Sequence, residues 1–476
     1  MKLTYNVTDR PPFGKTLVFA LQQLLAILAA TIAVPSIVGN GMSQSAALFG
    51  AGVGTIVYLL FTRFKSPVFL GSSFAFLGSM FTAFAGAVSM SVGYLGLLIG
   101  AAFAALVYVI LALIVKFAGS GWVNKLMPAV VIGPTVAIIG LSLAGNAVGD
   151  LTSSAYSGDL SAYVMNWHGI LCLICGLVTL GATIAASVIG KKMLKMIPFI
   201  IGILAGYLVA TIFTVFGYHI GGNATFLIVD FSKFSAMKWY PEFTFITAFK
   251  GGYDFGTTGG FWSYFATILV AYVPVAFVVF AEHIADHKNL SSIIEKDLLE
   301  EPGLHNTLLG DGIGSFAGAF FGGCPNTTYG ESVGCVAISG NASVITILCT
   351  AIMAIVASFV APFVTFLATI PSCVMGGVCI ALYGFIAVSG LKMVQKVNLE
   401  DNRNLFVVSV ILIAGVGGMG LNFGKITLTE IAVALILGII VNVMVNIGNK
   451  KNAAADTAAN EEAPASDEAA ATDENN

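Results

Sequence analysis

The sequence predicts an all-α polytopic membrane protein: fourteen transmembrane segments in a seven-plus-seven inverted repeat, with two short strands in the broken third and tenth segments. Three observations predict it. Of 476 residues, 57% are hydrophobic and 9% charged, against about 45–50% and about 25% in a soluble domain. Apolar stretches near the roughly 20 residues that cross a bilayer follow one another along the chain. Two pairs of local motifs recur in the two halves. The composition excludes a soluble enzyme, a disordered chain and a nucleic-acid binder, because a soluble surface needs polar cover. A net charge of −3 implies no electrostatic partner.

The elements follow in order. Residues 1–15 are polar, with Asp9, Arg10 and Pro11–Pro12. They form a cytoplasmic N-terminus without the pattern of a cleavable signal peptide. Apolar segments fall at 16–38, 45–62, 67–87, 93–117, 127–147, 168–189, 197–217, 262–287, 308–322, 325–340, 343–362, 368–391, 404–421 and 428–447. Segments 67–87 and 325–340 are interrupted by Gly, Ser, Thr or Pro and do not read as clean helices. Residues 218–261 form the longest extracytoplasmic loop. Residues 448–476, rich in Ala, Asn, Asp and Glu, read as a disordered acidic cytoplasmic tail. With the N-terminus inside, 17 of the 21 Lys and Arg are cytoplasmic; only Lys233, Lys238, Lys250 and Lys425 lie outside, as the positive-inside rule requires. Both termini are then cytoplasmic.

The 54 Gly suit close helix packing in lipid. The seven Cys lie in or beside apolar stretches. Cys172 and Cys175 fit a CxxC spacing, but both flanks are apolar, so they read as small core residues rather than redox or metal ligands.

Pro128-Ala-Val-Val-Ile-Gly133-Pro134 in the fifth segment matches Pro371-Ser-Cys-Val-Met-Gly376-Gly377 in the twelfth. Ser72-Ser73-Phe74-Ala75-Phe76 in the third matches Thr327-Thr328-Tyr329-Gly330-Glu331 in the tenth. Both pairings give a unit of seven spans. Seven is odd, so the second copy enters the membrane upside down. Inverted repeats with a pair of broken segments point to a secondary transporter.

The hydroxyl residues Ser72, Ser73, Thr327 and Thr328 favour short extended stretches before half-helices. Extended backbone at membrane depth must pair or line a cavity. The two half-helix N-termini would then aim positive partial charge at one midplane point. Glu282 in the eighth segment and Glu331 in the tenth are intramembrane carboxylates, which mark function. Asp286 shares the helix face of Glu282, with His287 beside it; either relays protons or ends the helix at the interface. Asp311 is expected as the N-cap of the ninth segment. His283 reads as packing, and His168, His219 and His305 as interface residues. No nucleophile–base pair supports an enzyme.

Ala281-Glu-His-Ile-Ala-Asp-His287, the Lys296-Asp-Leu-Leu-Glu-Glu-Pro-Gly-Leu-His305 loop and Pro325-Asn-Thr-Thr-Tyr-Gly-Glu331 closely resemble the uracil-permease branch of the nucleobase–ascorbate transporter family, also called nucleobase:cation symporter-2. The resemblance runs from Arg10-Pro-Pro12 to about Ile447 and includes Gly71-Ser-Ser-Phe-Ala-Phe76. It implies a core domain, residues 16–117 and 262–362 (spans 1–4 and 8–11), and a gate domain, residues 127–217 and 368–447 (spans 5–7 and 12–14). It implies uracil:H⁺ symport by alternating access in a bacterial inner membrane. Glu282 and Glu331 would hydrogen-bond the base, and backbone N–H groups of Phe74 and Gly330 would meet its carbonyls. Ser73 and Tyr329 complete the expected substrate-binding set, and Glu282, Asp286 and His287 the proton-coupling set. The family pattern differs at two places: Asp286 stands where a coupling-linked His can occur, and Gln22-Gln23 where Gln-His is usual. No cofactor is implied; the coupling ion is H⁺, with Na⁺ as the alternative. The expected partners are uracil and membrane lipid, with no nucleic acid and a homodimer left open. Xanthine or another base is the alternative substrate, and an anion exchanger or channel of the same architecture the alternative class.

Overall fold

The computed structural model describes residues 3–85, 89–119, 121–191, 193–256, 259–422 and 427–461. Nine helices among them are long and apolar enough to cross a membrane. They are Phe13–Val38, Gln44–Phe61, Met90–Ala118, Ala129–Thr152, Trp167–Val188, Pro198–Ile220, Phe261–Ile294, Ser372–Val394 and Glu430–Ile447, and they serve as spans 1, 2, 4, 5, 6, 7, 8, 12 and 14. Span 11 is Val344–Ala357, followed after a turn of 84° by the helix Ala361–Thr369. The other four segments are short or less apolar, each for a visible reason. Spans 3 and 10 are strand-then-half-helix units. Span 9, Leu304–Gly322, is dense in Gly and carries Asp311. Span 13 ends at Val416, before Gly417-Gly418.

Several edges differ from the sequence reading. Span 8 runs on to Ile294, and span 9 begins at Leu304 rather than 308. The separate helix after span 11 starts where Pro362 occupies its first turn, a position that suits proline because no N–H is needed there. The last helix continues past 447 to Glu461. Its backbone therefore enters the stretch assigned to a disordered tail from 448, where repeated Ala favours helix. Residues 462–476 of that tail lie outside the described residues, as does Lys425, counted among the extracytoplasmic charges. Pro128 and Pro371, the matched prolines, each stand immediately before the first helical residue of spans 5 and 12.

Glycine permits the tightest helix contacts. A Cβ at Gly50 would lie 2.4 Å from the Gly318 carbonyl oxygen, and one at Gly54 would lie 2.6 Å from that of Gly314. Spans 2 and 9 thus touch backbone to backbone. Gly140 packs in the same way on Tyr383, and Gly377 on Gly176, joining spans 5 and 6 to span 12. The main packing interfaces fall in two groups. Spans 2, 4, 8, 9 and 11 pack among themselves with span 1, and spans 5, 6, 7, 12, 13 and 14 among themselves.

The two broken segments meet at the centre. Leu70–Ser72 and Asn326–Thr328 pair antiparallel, Leu70 opposite Thr328 and Ser72 opposite Asn326. Both strands are buried, so their free backbone groups need partners. The Ser73 N–H donates to the Pro325 carbonyl at 2.9 Å and that of Tyr329 to Phe69 at 3.2 Å. The Leu70 N–H donates to Thr55 Oγ1 on span 2 at 2.9 Å. Gly71 has no alternative here, because a Cβ would sit 2.3 Å from the Tyr329 ring. Half-helices Leu77–Phe84 and Gly330–Ser339 leave the crossing in turn.

The N-terminal segment also pairs. The Thr4 N–H donates to Gly340 and the Val344 N–H to Val7, which ties it to the link between spans 10 and 11. On the same face Lys65 bonds Glu301 at 2.6 Å, and holds that exposed carboxyl below its usual range.

Candidate substrate site

A cavity of about 290 Å³ opens beside the strand crossing, near the lower end of the range for small-ligand sites. Its wall is built from three places. The crossing supplies Phe74 and Thr327 to Glu331; span 8 supplies Glu282, Ala285, Asp286 and Asn289; spans 5, 7 and 12 supply apolar residues including Val136, Phe199 and Phe385, and span 6 supplies Ser187. Glu282 and Asp286 are four residues apart on a helix, so both face the same way. Glu331 stands in the first turn of the second half-helix, where exposed N–H groups and the helix dipole favour acceptors and negative charge. All three carboxylates are half-buried. The cavity extends along span 8 from Glu282 to Asn289 and reaches exposed Lys195 in the connection between spans 6 and 7. The ring of Phe74, which also lines the cavity, packs edge-to-face with Tyr383 on span 12, centroids 5.4 Å apart, and both residues are buried.

Hydrogen bonds hold these groups. Thr328 Oγ1 donates to Asp286 Oδ2 at 2.7 Å, which joins the second strand to span 8. The Tyr329 hydroxyl donates to the Ser72 carbonyl at 2.8 Å, so its ring spans the crossing. Ser332, next to Glu331, accepts from the Phe69 N–H at 3.0 Å and from Gln23 Nε2. Gln23 therefore reaches the half-helix as a fixed donor, which an amide supplies without titrating.

Five of the sequence-predicted substrate residues come together around the cavity: Glu282, Glu331, Phe74, Gly330 and Tyr329. Ser73 does not line it; the residue is buried and its hydroxyl is unpartnered. Of the coupling set, Glu282 and Asp286 line the cavity and His287 does not. His287 is buried on another face, Nε2 2.7 Å from the Tyr58 hydroxyl, while Nδ1 donates to the His283 carbonyl at 2.8 Å. Two readings are corrected. Asp311 is not an N-cap: the helix starts at Leu304, which puts it two turns inside. His283 is more than packing: its Nδ1 lies 2.7 Å from Asp311 Oδ2. Thr328, Gln23 and Ser332 went unassigned as supports. The one signal for them was position, since each neighbours a residue already marked.

Paired strands between two half-helices, with carboxylates in a cavity among many apolar helices, define a multi-pass membrane transporter. Residues 14–423 match the family model Xan_ur_permease, described as a permease family, and the chain belongs to that family. Its relatives include the uracil permease of Bacillus caldolyticus, 39% identical over 93% of this chain and 95% of that one. The uracil permease of Bacillus subtilis (strain 168) is 37% identical over 93% and 95%, and that of Escherichia coli (strain K12) 34% over 91% and 92%. Among solved structures, the transmembrane domain of the cyanobacterial bicarbonate transporter BicA superposes with a TM-score of 0.62 at 16% identity, covering 92% of this chain and all of that one. The murine anion transporter Slc26a9, in its inward-facing state, gives 0.63 at 11%, covering 93% and 69%. These two likenesses are of fold.

Proposed function

We propose that this chain imports uracil as a proton-coupled symporter of the bacterial inner membrane, working by alternating access. The observation that carries the reading is the placement of Glu331 and Glu282 in one cavity with the start of a half-helix. Uracil is planar and neutral, with two N–H donors and two carbonyl acceptors. Carboxylates accept from the donors, and the backbone N–H groups of Phe74 and Gly330 serve the carbonyls. Such a site rejects analogues that lack an N–H, because a buried acceptor would lose its partner. The names of the relatives support the same substrate.

Alternating access needs two bodies. The two packing groups serve as core and gate domains, with the cavity between them. The seven-plus-seven repeat, supported by the matched prolines and the antiparallel crossing, gives those bodies an inside and an outside path. The Phe74–Tyr383 contact closes the outer path, and the mouth at Asn289 and Lys195 opens inward. A proton bound with uracil offsets carboxylate charge while the site crosses. The anion-exchanger reading fits less well, because three carboxylates face the cavity and would repel an anion.

The test is uptake of radiolabelled uracil into proteoliposomes under imposed gradients. An inward proton gradient should drive accumulation. Accumulation driven by Na⁺ alone would overturn proton coupling, and uptake of xanthine in preference to uracil would overturn the substrate.

A further inference from the structure

Span 8 carries His283 and His287 on a face that does not line the cavity. Both are buried, and their rings stack with centroids 4.0 Å apart. Opposite His283 stands Asp311 of span 9, 1% exposed, with Oδ2 2.7 Å from Nδ1. Thr307 of span 9 places Oγ1 3.0 Å from Nε2.

Hydrogen-bond accounting allows two states of the pair, one proton apart. A threonine hydroxyl has one hydrogen. In one state that of Thr307 goes to the Leu304 carbonyl at 3.0 Å, which can only accept. In that state the hydroxyl is an acceptor toward His283, and Nε2 carries a hydrogen; in the other the hydroxyl turns to donate to Nε2, and the imidazole is neutral beside a carboxylate. In the first state the Nδ1–Oδ2 contact needs a second hydrogen, because two bare lone pairs would repel. The pair is then imidazolium with carboxylate, or imidazole with carboxylic acid. Either way it is neutral overall and holds one proton more than neutral histidine beside a carboxylate.

Losing that proton would leave a negative charge in the interior. Asp311 Oδ1 has no hydrogen-bond partner to spread such a charge, and the Tyr108 hydroxyl is unpartnered too. The titratable groups around the pair are Tyr58 of span 2, Tyr108 of span 4, Glu282, Asp286 and His287 of span 8, and Glu331 of span 10. None is a permanent cation, and among the described residues no Lys or Arg side chain is buried. Burial of an unpaired charge is costly, so the proton stays until a rearrangement supplies an alternative.

We propose that His283 and Asp311 form a second proton-binding site of this carrier, behind the substrate cavity and separate from Glu282 and Glu331. Thr307 gates it. Once the proton leaves, Nε2 becomes an acceptor, and the Thr307 hydroxyl turns from the Leu304 carbonyl to serve it. Spans 8 and 9 share a packing group, so the proton moves with the cavity's carboxylates. That role in coupling rests on the symport reading above; the one-proton pair does not.

Two measurements on the full chain test it. The first uses no substrate: infrared difference spectra of labelled protein titrated from about pH 5 to 9, the range spanning imidazole ionisation. One aspartyl and one imidazole signal should titrate together, and both should vanish in Asp311→Asn and in His283→Gln. Independent titration, no titration, or signals that survive both substitutions would overturn the pair. The second compares uracil binding with proton-driven uptake. Both variants should bind within about threefold of the parent, since neither residue lines the cavity, while proton-driven uptake falls at least about tenfold and uracil counterflow persists. Unchanged pH dependence and proton-to-uracil ratio in both variants would overturn the coupling role. A parent that binds no uracil would sink the substrate reading instead and leave the infrared result to decide the pair.

Discussion

Glu331 and Glu282 share one cavity, yet their surroundings differ. Glu331 sits among the N–H groups of a half-helix start, where a fixed acceptor is favoured. Glu282 sits one turn before Asp286 on a helix whose other face carries the stacked imidazoles. Glu331→Gln keeps the size and removes the charged acceptor. Charge-assisted hydrogen bonds contribute about 1.5–3 kcal/mol, so uracil affinity should fall at least about tenfold in equilibrium binding. Normal binding and uptake in that variant would remove the central residue from the site. Glu282→Gln should lose binding and proton-driven uptake together. His287→Ala should bind normally, because His287 stands outside the cavity. Either it or Asp286→Asn should slow proton-driven uptake; full uptake in both would remove the pair from proton coupling. Much of this was legible in the residues, since a carboxylate inside an apolar stretch is costly wherever the chain folds. The pairing of His283 with Asp311 was not, because 28 residues and a connecting loop separate them.

At the scale of elements, the crossing depends on a few close approaches. Gly71 lies under the Tyr329 ring, and Thr55 takes up the Leu70 N–H. Gly71→Ala should displace the Tyr329 ring and cost about 1–3 kcal/mol through overpacking. Thr55→Val leaves a buried N–H unpaired and should cost about 1–3 kcal/mol. Thermal unfolding in detergent reads both. Gly384→Ala is the control, because a Cβ there meets nothing within 4 Å, and it should leave the midpoint unchanged. A control that shifts as far as Gly71→Ala would show that any added methyl is felt, and would remove the special role of the crossing. The interruptions in segments 3 and 10 were readable as such. Their register was not: the strands begin at Leu70 and Asn326, each just before the hydroxyl motif, because pairing partners are chosen across the molecule.

For the whole molecule, the expected topology puts both termini inside and the connection between spans 5 and 6 outside. In a background without the seven native cysteines, Asp159→Cys should react with an impermeant thiol reagent from outside intact cells. Asn398→Cys, between spans 12 and 13, should react only after the membrane is opened. Both positions are exposed, so access is limited by the membrane alone. Labelling of both from the same side would discard the fourteen-span topology.

Composition and apolar periodicity by themselves determined the membrane class, the order of the segments and which carboxylates lie inside apolar stretches. Those properties follow from transfer energies that each residue carries with it. The tertiary structure alone decided which of these groups meet. It placed Thr328 on Asp286, Gln23 on Ser332 and Asp311 on His283, and it turned His287 away from the cavity. A hydrogen bond requires two groups at about 3 Å, and for residues far apart in sequence that distance is set by how the glycine-lined helices pack.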